Sequence, residues 1–419
     1  MSAASSPDPA DGRLRSVDEH LRRILETIGP LQPYEQPLLE CLGLSLCEDV
    51  ASPIDLPRFT NSAMDGYAVR HLDIVSASRD HPVRLAVVGE SAAGTSKPSA
   101  VAPGAAIKIM TGAPMPTGAD TVVPIEMTDG GNASVTIFQP RDYGQHVRIA
   151  GEDLSEGDVV FGEGAVLGPR EIGLLASIGR SQVLARPRPR VVIVSTGTEL
   201  REPGTPLGFD SIYDSNSYLL AAAARALGAI VYRVGIVSDN PAEFNDLLTD
   251  QLVRADVVIT SGGVSMGNYD VVKEALTSLG TVEFTEVAMQ PGKPQGFGVV
   301  GDEETPIITL PGNPVSSYVS FEVFVVPVLR RLMGVHPYRR PLVQAMLAED
   351  LVSPEGKRQY ARGRFEVTAH GARVTPVGGS GSHLIGGLAQ ANALIVVEED
   401  ETALNVGDTA KVLVLDRSF

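Results

Sequence analysis

Apolar positions divide the chain into stretches of different period. Val17, Leu21, Ile24, Leu25 and Ile28 fall on one helical face. Ser16 and Glu19 supply a capping-box pattern ahead of them, and Gly29-Pro30 stops the helix. A second short helix is expected over 35–42, ended by Gly43. From 51 to 151 the period shortens. Runs at 83–88, 106–110, 121–125 and 134–138 alternate with Gly and Pro turns, which predicts a small β-rich domain. Val159-Val160 and Ala165-Val166 continue in extended style, and 170–178 reads as a helix ended by Gly179.

Residues 189–334 have a different rhythm. Strand-like runs at 190–195, 230–237, 257–260, 282–287, 296–300 and 307–310 alternate with helical ones. The helices are an Ala-rich segment at 217–227, one capped by Asn240 with Pro241 at its first position and running to 254, one at 270–279, and a long apolar one at 315–333. Strand–helix alternation of this kind builds a mostly parallel sheet covered on both faces. After Gly334 the helical signal stops, and 341–419 is again short strands and turns. At about 150 residues per domain, 419 residues predict two to four domains. The expected division is a discontinuous N-terminal domain (13–55 plus 150–186), a β-rich domain (56–149), an α/β domain (187–335) and a C-terminal β-barrel-like domain (336–419).

Composition narrows the chemistry. The net charge of −17 makes the chain a poor partner for nucleic acid or an anionic membrane, so any bound anion needs local, specific cations. Two cysteines, Cys41 and Cys47, exclude a disulfide scaffold and an all-cysteine zinc site. No apolar run reaches the roughly 18 residues of a membrane span. The first eleven residues are Ser-, Ala-, Pro- and Asp-rich, expected to be a short disordered tail and not a signal peptide. The expected compartment is the cytoplasm.

Ligands of open α/β sheets bind at the carboxyl ends of the strands. There the sequence places Ser195-Thr196-Gly197-Thr198-Glu199, Ser261-Gly262-Gly263-Val264-Ser265, and Pro311-Gly312-Asn313-Pro314. Small residues let backbone N–H groups approach phosphate oxygens, so these loops together form a candidate phosphate cradle, although each alone is an ordinary tight turn. None is a Walker A loop or a dinucleotide fingerprint. Glu199 and Asp270 are the acids of these loops. Each is a candidate Mg2+ ligand beside phosphate, while a helix-opening acid such as Asp270 also reads as a cap. Lys293, between Pro291-Gly292 and Pro294, presents a cation on a stiff backbone. In the β-rich segment, Asn61 to Val69 (with Met64-Asp65-Gly66) and Met110-Thr111-Gly112-Ala113-Pro114 are denser than connectors need. The seven histidines have no metal-ligand spacing, and no Gly-x-Ser-x-Gly elbow occurs.

Taken in order, 57–70, 109–114, 118–126, 148–154, 195–200, 261–270, 291–294 and 311–314 resemble the molybdopterin molybdenumtransferase (MoeA) family, which is similar to the E domain of gephyrin. The resemblance covers essentially the whole chain, about 15–415. It implies insertion of molybdate into adenylylated molybdopterin with Mg2+ and release of AMP. It implies a MoaB/Mog-like α/β domain and a homodimer whose active site lies between subunits, with docking of a molybdopterin adenylyltransferase and of recipient molybdoenzymes to be considered. Carried over by motif, Asp65 and Thr111 come from the β-rich domain, and Glu199, Asp256 and Asp270 from the α/β domain. Asp256 stands at the start of its strand, which suits a structural role. Lys293, Arg362 and Ser382 form the molybdate-facing group. Some relatives carry a second lysine where this chain has Gln290, and Asn-Gly where it has Asn392-Ala393. A nucleotide pyrophosphatase would account for the phosphate loops but not for Asp65, Thr111 and the outer β-domains. A non-catalytic scaffold is disfavoured by the intact set Asp65, Glu199, Asp270 and Lys293.

Overall fold

The computed structural model describes residues 14–92, 94, 99–237, 240–263, 273, 275–276 and 281–416. Ser265, Asp270, the helix expected over 270–279 and the N-terminal tail lie outside the described residues. By internal contacts the chain forms two units, one of Met1–Glu35, Gly43–Cys47 and Leu184–Phe419, the other of Gln36–Leu42 and Glu48–Val183.

In the second unit a five-stranded sheet runs in the order Thr121–Pro124, Gly66–Val69, Ala105–Ile109, Val83–Ser91, Ser134–Ile137. The Gly66–Val69 strand is buried at every position, with Tyr67 and Val69 in the core beside Ile74, Leu85 and Val123. Gly66 is required there, since a Cβ would lie 2.0 Å from the Val123 carbonyl oxygen. The Asp65-Gly66 pair therefore opens a central strand and is not a free turn. A single helical turn, His71–Ile74, interrupts the β pattern. The short helix expected over 35–42 is not formed. Tyr34–Pro37 is extended and only Leu38–Cys41 turns, as 3-10 helix. Pro37 explains this: inside a helix its ring would displace a carbonyl, and it disfavours helical geometry at Gln36.

The first unit holds a six-stranded sheet in the order Ile230–Val237, Arg190–Thr196, Val257–Ser261, Thr305–Leu310, Pro294–Val300, Glu283–Glu286. Neighbours among the first four are parallel, and the last two strands are antiparallel. Alternation along the central strands sends Val191, Ile193, Val257 and Ile259 to one face and Val192, Val194 and Val258 to the other. The first face is covered by helices Val17–Thr27, Asn216–Ala226 and the long helix that starts at Pro314. The second is covered by Pro241–Leu252, through Phe244 and Leu248.

The long helix runs from Pro314 to Met333, but Phe321–Val325 widens to π geometry. Pro327 follows two residues later and cannot donate a hydrogen bond to the carbonyl four residues back; a widened turn ahead of a proline relieves that conflict. Beyond it, Arg358–Thr368, Gly371–Pro376, Leu342–Leu347, Thr409–Val414 and Ala393–Val397 pair in that order and close back on the first strand as a five-stranded barrel. One helix, Ile385–Gln390, escapes the expectation that helices end at Gly334, because Gly386-Gly387 masks its signal.

His20 lies in the core of this unit, 2% exposed, its ring edge-on to Phe324 at 4.9 Å. Burial, reinforced by Arg15 and Arg23, pushes its pKa from 6.5 down to about 3. Between those values the unfolded chain binds a proton that the native chain excludes, so stability is present above pH 6.5 and is lost as pH falls through this window. His20→Leu is expected to flatten the dependence of unfolding free energy on pH between about 6.5 and 3, as measured by urea denaturation.

Candidate functional site

The carboxyl ends of three parallel strands are tied together by the segment 214–217, which begins with the Asp214 carboxylate. This carboxylate is 1% exposed. It accepts from Ser195 Oγ (3.1 Å), Ser217 N (3.1 Å) and Ser217 Oγ (2.5 Å), and Arg233 lies 3.9 Å away. A buried carboxylate needs such a shell, because an unpaired charge taken from water is strongly destabilising. Two residues on, Asn216 Nδ2 donates to Ser261 Oγ (2.7 Å) and to the Gly312 carbonyl (2.6 Å). One four-residue segment thus holds all three strand-end loops: Ser195 through Asp214, and Ser261 and Gly312 through Asn216.

The glycines allow these loops to approach closely. Gly262 and Gly263 both have positive φ, +94° and +73°. A Cβ on Gly262 would lie 2.9 Å from the Thr196 carbonyl oxygen, and one on Gly312 would touch Gly262 at 3.7 Å. At Gly197 an added Cβ would meet Glu199 Oε2 at 2.6 Å, so the Glu199 carboxylate folds back over the strand end. Asn313 precedes the long helix, Pro314 takes its first position, and the Asn313 side chain makes no cap hydrogen bond. The chain from Leu200 to Tyr213 is held by Glu202, which pairs with Arg233 at 2.7 and 3.0 Å; Arg233 stacks 4.2 Å from the Tyr218 ring. Arg233 holds the Glu202 carboxyl below its ordinary range.

The cations sit on the barrel side of the same unit. Arg362, 4% exposed, donates to the carbonyls of Leu384 (2.7 Å) and Gly379, and burial lowers its pKa. It lines a cavity of about 350 Å3 with Gln290, Pro291, Val315, Asp350 and Tyr360. Ser382 is brought to the first turn of the long helix, where its carbonyl accepts from Val315 N at 3.0 Å. Lys293 pairs with Glu286 at 2.7 Å. Asp256 is elsewhere: it forms a bidentate pair with Arg190 at the amino ends of the strands. In the second unit Thr111 donates to Asp65 Oδ1 through its amide (2.6 Å) and its hydroxyl (2.8 Å). These two bonds, the amide first, hold the Asp65 carboxyl below the usual range.

The structure thus gathers Ser195, Thr196, Gly197, Glu199, Ser261, Gly262, Gly263 and Pro311 to Pro314 at one sheet edge. It places Arg362 beside Gln290-Pro291 and Ser382 beside Val315. Among the described residues no group of three or more His, Cys, Asp or Glu forms a ready metal cage. Sequence reasoning missed Asp214, Asn216 and Arg233. The signal was available as Asp214-Ser215-Asn216-Ser217 ahead of an Ala-rich helix, an acid and a serine at capping distance.

A parallel sheet with polar strand ends and a hydroxyl-rich rim defines a ligand-binding α/β domain, and comparison with known proteins specifies it. Residues 15–179 match the MoeA N-terminal region (domain I and II), 192–331 the probable molybdopterin binding domain, and 344–415 the MoeA C-terminal region (domain IV). Molybdopterin molybdenumtransferase 2 of Mycobacterium tuberculosis is 45% identical over 405 residues, 95% of this chain and 99% of that protein. The molybdopterin molybdenumtransferase of Haemophilus influenzae is 36% identical over 95% of this chain and 98% of its own length. A crystal structure of a Pyrococcus horikoshii MoeA protein superposes with a TM-score of 0.81 at 30% identity, covering 97% of this chain and all of that one. The chain belongs to the molybdopterin molybdenumtransferase (MoeA) family.

Two outcomes follow from this geometry. Thr111→Val removes the hydroxyl bond but keeps the amide bond, so the Asp65 carboxyl pKa is expected to rise only part of the way to its ordinary value in a carboxyl NMR titration. Asn216→Ala leaves the Ser261 hydroxyl and the Gly312 carbonyl without their shared donor. It is expected to cost about 1–3 kcal/mol in urea unfolding.

Proposed function

We propose that this protein inserts molybdate into adenylylated molybdopterin and releases AMP, the last step of molybdenum cofactor biosynthesis. The observation that carries the reading is the joined set of strand-end loops, Ser195 to Glu199, Ser261 to Gly263 and Pro311 to Pro314, in a chain whose relatives bear the name of this activity. Their small residues suit close approach of the pyrophosphate and pterin of the substrate, and Ser265 is assigned to the same binding set. Lys293 and Arg362 supply the local cations that a dianionic oxyanion needs in a chain of net charge −17, and Ser382 is assigned to face the same oxyanion.

Glu199 fits a hard cation, since its carboxylate oxygens are turned over the strand end at Gly197. With Asp270 it would hold Mg2+, which when bound neutralises charge on the phosphates. The remaining work is positioning by the chain's own groups. Asp65, kept ionised by Thr111, is assigned to orient a water or the metal shell. In the homodimer proposed here, Asp65 and Thr111 of one subunit serve the α/β domain of the other. A molybdopterin adenylyltransferase is the class of enzyme that must supply the substrate, and recipient molybdoenzymes take the product. The reading places the protein in the cytoplasm; no described helix is long and apolar enough to cross a membrane.

Asp65→Ala is expected to keep the fold by circular dichroism and to lose AMP release by about 100-fold or more. Wild-type release from that variant would remove Asp65 from the chemistry.

A further inference from the structure

Lys293 is not a free cation. Its Nζ lies 2.7 Å from Glu286 Oε2, and both side chains are only partly exposed, at 41% and 32%. The backbone beneath both residues is pinned. Glu286 is the last residue of its strand and pairs with Pro294. Its carbonyl accepts from Arg15 N at 3.0 Å, and the Lys293 carbonyl accepts from Val287 N at 2.7 Å. Between them Met289-Gln290 pairs with Arg358-Gln359 of the barrel. The Gly292 carbonyl accepts from Gln295 Nε2 at 2.5 Å, and that buried amide also donates to Ser320 Oγ at 2.7 Å. Gly292 has φ +103°, and a Cβ there would lie 2.7 Å from Ser320 Oγ. The Lys293 and Glu286 side chains, by contrast, are partly exposed.

The charges of this pair cancel, while the neighbouring Arg15, Arg23 and Glu283 sum to one positive charge. Arg15 and Arg23 are committed to Glu283, at 2.6 and 3.0 Å. Gln290, on the same connection, carries no charge. An anion that approaches Lys293 therefore meets an ammonium already neutralised by a carboxylate. Partly exposed ion pairs are weak, typically below about 1 kcal/mol, so exchange of the partner is cheap. A dianion a few ångströms from Glu286 would also be repelled by it.

We propose that Glu286 is an internal counter-ion of Lys293 that an incoming tetrahedral oxyanion must displace, so that this chain's own carboxylate sets the threshold for oxyanion binding. The proposal rests on the reading of Lys293 as an oxyanion-facing cation. Calorimetric titration of the full-length protein with sodium molybdate at fixed ionic strength tests it in wild type, E286Q, E286A, K293M and the E286Q/K293M double variant. The expected result is molybdate binding roughly three- to thirty-fold tighter in both Glu286 variants. K293M should lose binding, and the double variant should behave like K293M. Binding equal to or weaker than wild type in E286Q and E286A, with K293M still losing it, would overturn the counter-ion role and leave the function of Lys293 standing. Wild-type binding in K293M would overturn the reading of Lys293 itself, and the inference with it.

Discussion

The α/β site depends on one carboxylate that is almost wholly buried, that of Asp214. Asp214 must be satisfied internally, and the groups that satisfy it are Ser195 at a strand end and Ser217 in the first turn of the adjacent helix. That requirement fixes the helix start, and the helix start fixes Asn216. Its amide then has two acceptors within reach, one on each of the other two loops. Hydrogen bonds inside a low-dielectric site are directional and costly to leave unmade. The ligand-facing rim is therefore set before any ligand arrives, by residues that face inward.

A second constraint joins the α/β sheet to the barrel. Arg15 bridges to Val287, Ala288 N donates to the Arg15 carbonyl, and Arg358 N donates to the Ala288 carbonyl. Side chains repeat the connection: Arg358 bonds Asp18, Glu398 and Glu399 at 2.8 to 3.3 Å. Backbone pairing of this kind places Gln290-Pro291 against Arg362, four residues along the same barrel strand. The cations of an acidic protein thus stand on fixed main chain. The two assigned to the oxyanion are already engaged, Arg362 by carbonyls and Lys293 by Glu286.

Much of this was legible in the sequence. The alternation of strands and helices over 189–334 identified the parallel sheet, because β-branched runs and Gly or Pro boundaries are local signals. The strand-end loops followed from the sheet. The helix expected over 35–42 failed because the apolar spacing outweighed Pro37, although proline's geometry is the stronger constraint. The strand Gly66–Val69 was read only as a motif, since its reason for glycine is a carbonyl 2.0 Å away on another strand. Asp214, Asn216 and Arg233 were missed for a similar reason: their roles are set by partners distant in sequence, Ser195 19 residues from Asp214, Glu202 31 from Arg233 and Gly312 96 from Asn216. Glu286 carries no sequence signal of its own, because its role follows from a strand that ends beside Lys293.

On the proposed reading, strand-end loops of this kind bring a phosphoanhydride and an oxyanion together. The most direct measurement is AMP release by the wild-type protein from adenylylated molybdopterin with Mg2+, in the presence and absence of molybdate. Release is expected to depend on molybdate. Release at the same rate without molybdate would contradict it and identify the site as that of a nucleotide pyrophosphatase.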